Sequence, residues 1–220
     1  NVMPHLHMPL QSGSDRVLQQ MRRSYRSDRY LGILDRVRSA MPHAAITTDI
    51  IVGFPGETEE DFQATLDVCT TARFTAAYTY QYSIRPGTPA ATMPDQITQD
   101  VVADRYTRLH NHQQAISLSV NKEAIGTTHK ILVGDYEGRR DEAQSRLTGR
   151  SEDFRLVHFD NTFVARPGDE VTVTITDASA HYLIGNPISI RQTRGAEAHA
   201  ARIAQPGPAS TMLGIPTVKR

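Results

Sequence analysis

Asp49 is an acid inside an otherwise apolar, β-branched run, AITTDIIV (residues 45–52). A carboxylate in a buried strand needs a partner. It therefore either hydrogen-bonds a ligand or pairs with a basic side chain for structure. Upstream, the turn QSGSD (residues 11–15) joins a strand-like run to a helix-like one. The amides of Ser12, Gly13 and Ser14 at a helix start can cradle an anion or a ribose hydroxyl, or they form an ordinary capped turn. Arg22 and Arg23 close the following helical segment. They either compensate its dipole or turn inward, where guanidinium geometry suits a ligand carboxylate. In GFPGE, Gly53 and Gly56 shape a tight turn that lets a ligand approach the backbone or is only a turn. No Gly-Lys-Ser/Thr follows, so it is not a Walker A loop.

Other groups carry weaker signals. His5 and His7 share a strand face, but no third ligand accompanies them, so no metal site is read. Cys69 lies on an apolar helix face and reads as a small core residue. Tyr78, Tyr80 and Tyr82 share one strand face, where packing is the default and substrate stacking the alternative. Arg146, Arg150 and Arg155 are interleaved with Phe154, His158 and Phe159. That mixture suits RNA, although Glu152, Asp153 and Asp160 dilute its charge and a solvated surface is the plainer reading. No residue stands out as catalytic.

The elements that must hold these residues alternate. Residues 5–10 read as a strand and a helix follows through Val17, Leu18 and Met21. A second helix starts near Ser27 or Asp28, carries Leu31, Leu34 and Val37, and ends at Pro42. Residues 45–52 form a buried strand. Thr58 with Asp61 opens a further helix as a capping box, with Asp in place of the usual Glu. Residues 76–82 form a third strand, and a long helix runs from about Thr98 to Asn121. The repeat implies parallel strands with right-handed crossovers. Three strands make a poor independent core, so the segment reads as half of a larger α/β barrel or sheet. Chemistry in such folds sits at the C-terminal strand ends. After Gly126 the pattern changes to five short strands, HKILVG, EAQSRLTGR, FRLVHFD, DEVTVTITDA and YLIGNPISI, as in a small antiparallel barrel. The expected division is 1–124, 125–191, and a disordered tail at 192–220.

Composition narrows the function. The 220 residues hold 24 Lys plus Arg and 24 Asp plus Glu, which excludes binding to nucleic acid by bulk charge alone. A single Cys excludes an intrachain disulfide framework and a Cys-ligated cluster built from this chain alone. No apolar run nears the roughly 18 residues of a membrane span. With no signal peptide, a cytoplasmic location is expected. The chain opens on Asn1 almost directly into a strand, so a longer protein is expected upstream.

No motif decides alone, but their order does. HLHMPLQSGSD, MRRSY, TTDIIVGFPGETEEDF, YSIRPGTPA and a small barrel with LTGR and RLVHF resemble the methylthiotransferase family of radical S-adenosylmethionine (SAM) enzymes. The resemblance covers about residues 5–190. It implies the second half of a radical SAM partial (β/α) barrel followed by an all-β, OB-like TRAM barrel that binds RNA. QSGSD and LTGR…RLVHF favour the branch that methylthiolates N6-isopentenyladenosine beside the tRNA anticodon over the ribosomal-protein branch. It implies SAM contacts from Gln11, Ser12, Gly13, Ser14, Arg23 (with Arg22 close behind), Asp49, Gly53 and Gly56. Arg146, Arg150 and Arg155 are the expected tRNA contacts. The family's two 4Fe–4S clusters split SAM to a radical and supply sulfur, but this chain lacks CxxxCxxC and cannot ligate them. The implied partners are a tRNA anticodon stem-loop and a reductant for the cluster, with a monomer expected. The rival from another class is a non-catalytic RNA-binding remnant.

Overall fold

A computed structural model describes residues 2–135 and 146–204. The first unit runs β1 (His5–His7), α1 (Asp15–Gln20), α2 (Ser27–Ala40), β2 (Ala45–Val52), α3 (Glu59–Ala72), β3 (Ala76–Gln81), a 3-10 turn (Pro89–Thr92) and α4 (Gln99–Lys122). The strands form a parallel sheet in the order β1-β2-β3. β1 is shorter than its sequence suggests. Pro9 has no N–H to give to a ladder, and pairing resumes only at Gln11, which bridges to Ile50.

The capping box at α3 forms as expected. Thr58 accepts from the Asp61 N–H, and Asp61 Oδ2 accepts from the Thr58 N–H at 2.8 Å. The shorter Asp reaches because it is also held from outside the helix, as shown below. Strand alternation then sorts β2 into two faces. Ile46, Thr48, Ile50 and Val52 face the helices and pack with Leu10, Leu34, Phe62, Cys69, Phe74 and Leu109. Ala45, Thr47, Asp49 and Ile51 face the other way, in register with Ala76, Tyr78 and Tyr80 of β3 and with His5 and His7 of β1. Asp49 and Ile51 on this face are only half-buried. Most of β2 is buried, as its apolar run suggests, although among the described residues helices cover one face only.

The second unit is a closed five-strand barrel of β4 (Thr128–Val133), β5 (Arg146–Ser151), β6 (Leu156–Asp160), β7 (Glu170–Ala178) and β8 (Leu183–Arg191), ordered β4-β5-β6-β8-β7. Its core holds Ile131, Val157, Phe159, Val171, Val173, Ile175 and Leu183. The alternation of Val171, Val173 and Ile175 with threonines is therefore the core face of β7. The barrel is not wholly antiparallel, because β6 and β8 pair in parallel to close it. Asn121 near the end of α4 ties the two units, donating to Ser179 O at 2.8 Å.

Arg194–Ala204 forms a helix, α5. This corrects the expected disordered tail at its start: the segment is rich in alanine, the best helix former, and Ala196 is fully buried. The remainder of that tail, and residues 142–145 of the expected second barrel strand, lie outside the described residues.

Candidate functional site

A 720 Å³ cavity opens on the helix-free side of the parallel sheet. Gln11, Arg22, Arg23 and Asp49 line it, with Ile51, Phe54, Tyr80, Tyr82 and Arg85. Two unusual backbone turns bring the first group together. Gln11 is left-handed at φ 69°. Its N–H donates to Asp49 O at 2.8 Å and its carbonyl accepts from Ile51 N–H at 2.8 Å, so the turn is stitched to β2 beside Asp49. Arg22 is left-handed too, at φ 58°. The Arg22 N–H donates to Gln19 O at 2.9 Å and the Arg23 N–H to Leu18 O at 2.8 Å. This is a Schellman ending with Arg at the position usually held by Gly. A non-glycine residue there costs roughly 1–2 kcal/mol. The ending reverses the chain after α1 and sets both arginines at the cavity. Among the described residues, neither guanidinium pairs with a carboxylate.

Asp49 has a neighbour that the sequence reading missed. His7 Nε2 lies 3.4 Å from Asp49 Oδ2, and His7 Nδ1 lies 2.9 Å from the Thr47 hydroxyl. His5 Nε2 reaches the same hydroxyl at 3.3 Å. Both histidines thus share the Thr47 hydroxyl, and His7 stands beside the Asp49 carboxylate. No group of three or more metal-ligating side chains occurs among the described residues. Burial, with His7 next to it, pushes the His5 imidazole below its ordinary value against the pull of Asp153.

Ser12, Gly13 and Ser14 do not line the cavity. Ser14 Oγ donates to Asp61 Oδ1 at 2.5 Å and caps α1 by accepting from Val17 N–H. Gly13 N–H donates to Thr65 Oγ1 at 2.9 Å, and Ser12 Oγ lies 3.4 Å from the same hydroxyl. A Cβ on Gly13 would sit 2.5 Å from Ala64 O. The three residues therefore dock α1 on α3. Arg16 completes the junction by pairing with Asp61. Burial alone would push the Asp61 carboxyl up, but hydrogen bonds from Arg16, Ser14 and Thr58 hold it well below the usual carboxylate range.

Gly53 and Gly56 are also absent from the cavity wall, which takes Phe54 from that turn instead. Both are left-handed, at φ 78° and 77°. What comes close to Gly53 is Val102 of α4. The turn is fixed by a pair that the sequence reading did not single out. Arg105 Nη1 bonds Glu57 Oε2 and Glu57 O, each at 2.9 Å, and Gly53 N–H bonds Glu57 Oε2 at 2.9 Å.

The tyrosine stripe divides: Tyr78 is 55% and Tyr80 51% exposed on the open face, whereas the Tyr82 ring packs edge-on against Phe54 at 5.4 Å. The barrel arginines differ among themselves. Arg155 is tied to Asp153, donating from Nε at 2.7 Å, with its side chain only 15% exposed. Arg146 lies 3.7 Å from Asp160. Arg150 has no carboxylate partner among the described residues, and its guanidinium carbon sits 4.8 Å from the centre of the Phe154 ring. Of the three, Arg150 is the one whose charge is left available.

The cavity fits SAM in kind. It offers unpaired cations for a carboxylate, an acid beside Gln11 for an ammonium or ribose diol, and apolar and aromatic walls for a purine. It does not fit a 4Fe–4S cluster. Cys69 is buried in the core of the first unit, and burial pushes its thiol up to about 12.

Comparison with known proteins finds two family matches. Residues 1–69 match the radical SAM superfamily and residues 122–188 match the TRAM domain. The chain thus carries a segment similar to the radical SAM superfamily followed by one similar to the TRAM domain. It is homologous over nearly its whole length to proteins named tRNA-2-methylthio-N(6)-dimethylallyladenosine synthase. That of Mycolicibacterium smegmatis is 56% identical over 97% of this chain and 45% of the relative. That of Corynebacterium urealyticum is 58% identical, over 99% and 41%, and that of Mycolicibacterium paratuberculosis 59% identical, over 99% and 42%. The chain spans a little under half the length of these relatives.

Proposed function

We propose that this chain supplies the SAM-positioning and RNA-binding parts of a tRNA methylthiotransferase, which adds a methylthio group to C2 of N6-isopentenyladenosine beside the anticodon. The observation that carries this is the convergence of Gln11, Arg22, Arg23 and Asp49 on one cavity at the open face of the parallel sheet. On this reading the sheet is part of a radical SAM (β/α) barrel, and its open face is the barrel interior.

Bound SAM supplies the transferable methyl group and the adenosyl group of the radical chemistry. Arg23, assisted by Arg22, holds the carboxylate of its methionine part. Asp49 accepts from the ribose hydroxyls, fixed by His7. Phe54, Ile51 and Tyr80 exclude water around the purine. The two 4Fe–4S clusters are to be held by residues other than those described, and a reductant is needed to charge them. The TRAM barrel grips the anticodon stem-loop, with Arg150 as its principal cation. Action on a ribosomal protein is less favoured, since the relatives reported above bear the tRNA enzyme's name. We further infer a monomer working in the cytoplasm; no helix among the described residues is long and apolar enough to cross a membrane.

The test is mass spectrometry of tRNA nucleosides from cells lacking the gene. Loss of the methylthio group, restored by the wild-type gene and not by Arg23→Ala or Asp49→Asn alleles, is expected. Methylthiolated tRNA in the deletion strain overturns the reading.

A further inference from the structure

A second cleft, of 590 Å³, lies on the same open sheet face, where the barrel approaches it. Its volume falls in the range of roughly 300–1,000 Å³ typical of ligand sites. His5, His7, Tyr78, Asn121, Arg150 and Phe154 contribute to its walls, so both units build it. Phe154 is the odd member. It sits in the β5–β6 hairpin, where its N–H donates to Ser151 O at 2.9 Å to close a turn. Its φ is 68°. The left-handed residue after such a turn is ordinarily Gly. Here a bulky aromatic occupies that position, and Phe154 remains 55% exposed.

The surroundings of that ring are chemically specific. Arg150 stacks on it and also donates to Phe154 O at 3.1 Å. The His5 ring lies 5.4 Å away, tilted by 41°. Asn121 is 3% exposed. Its Nδ2 is committed to Ser179 O and Ala180 O, while its Oδ1 is buried without a partner. An unpaired buried acceptor is costly unless a ligand or water donates to it. The acid of the cleft, Asp153, is already engaged by Arg155 and Ser151. The cleft thus offers an exposed aromatic ring backed by an arginine that has no carboxylate partner among the described residues.

We propose that this cleft binds an unpaired nucleobase of the RNA substrate, stacked on the exposed side of the Phe154 ring with Arg150 supporting the stack. Bases are held by aromatic stacking with cation support in single-stranded RNA sites. Because His7 borders this cleft and Asp49 the SAM cavity, with 3.4 Å between them, the bound nucleotide flanks the one presented for modification. The proposal rests on the tRNA-binding reading above.

The experiment uses the full chain and anticodon stem-loop RNAs carrying 2-aminopurine at single positions flanking the target adenosine, with anisotropy giving affinity and fluorescence giving stacking. The wild type is expected to bind and to quench one flanking position. Phe154→Gly is expected to lose that quench and bind about tenfold more weakly. Its melting temperature should not fall, because Gly favours the left-handed turn; Phe154→Trp should retain the quench. Wild type and Phe154→Gly binding and quenching alike would overturn the proposal and leave tRNA binding intact. No binding of any stem-loop by the wild type would overturn both.

Discussion

His7 holds Asp49 from the neighbouring strand: its Nε2 lies 3.4 Å from Asp49 Oδ2, while the Thr47 hydroxyl at 2.9 Å from Nδ1 fixes the other side of the ring. The pair exists because β1 and β2 are parallel and in register at His7 and Thr47, which puts the histidine one step from Asp49 on the same face. His7→Ala is expected to raise the dissociation constant for SAM by up to about fivefold, as for the loss of a partly exposed charged neighbour, with Asp49→Asn more severe. Equilibrium dialysis on the cluster-loaded, full-length protein checks this, and equal affinities would remove His7 from the site.

Arg105 and Glu57 are buried together, with side chains 6% and 1% exposed. Removing one partner strands the other charge, a loss of about 3–5 kcal/mol. Arg105→Ala is therefore expected to destabilise the first unit by that amount. Arg105→Met with Glu57→Gln should lose less, because the Gln oxygen still accepts from Gly53 N–H and no charge is stranded. Denaturant titration of both variants gives the comparison.

Asp61 is held below its ordinary value, so its contribution to stability is fully present above about pH 4, the unfolded-state value. It is lost as the pH falls through the depressed folded-state value. Asp61→Asn is expected to destabilise by about 2 kcal/mol or more near neutrality, through the lost cap and charged hydrogen bonds. The gap to wild type should narrow below pH 4. Melting curves from pH 3 to pH 7 would reveal it, and a gap constant with pH would show the carboxylate's charge to be irrelevant.

Cys69 is fully buried, and burial raises its thiol to about 12. The thiolate is the reactive form, so the native protein is expected to resist an aromatic disulfide reagent at pH 8. One equivalent should react at once in denaturant. Rapid labelling of the native protein would contradict the core position.

Gly13→Ala should separate α1 from α3, since the new methyl meets main-chain atoms of Ala64 and Thr65 that cannot swing aside. A loss of about 2 kcal/mol or more is expected from such overpacking. Because α1 ends in the turn that aims Arg22 and Arg23, SAM affinity should fall with stability. A variant as stable as the wild type would show that the junction can relax.

Much of this protein was legible from residues close together in the chain. The β-branched run made β2, Thr58 with Asp61 made the start of α3, and the alternation of valine with threonine made the core face of β7. The order of motifs also resembles one family's, and that resemblance pointed to Gln11, Arg23 and Asp49, which the fold does bring to one cavity. These features depend on local periods and caps, which are written within a few residues. What the sequence could not determine was which partner each polar group would find. Ser14 and Gly13 turn to Asp61 and Thr65, about fifty residues away, and so support the site from behind instead of lining it. Arg155 is neutralised by Asp153 and Arg150 is not, although both stand in the same hairpin. Tyr78 and Tyr80 look like core residues by type, yet the helices take the other face of their sheet. Pairing across the fold is decided by which elements pack together and on which side, and that information exists only once the tertiary structure has formed.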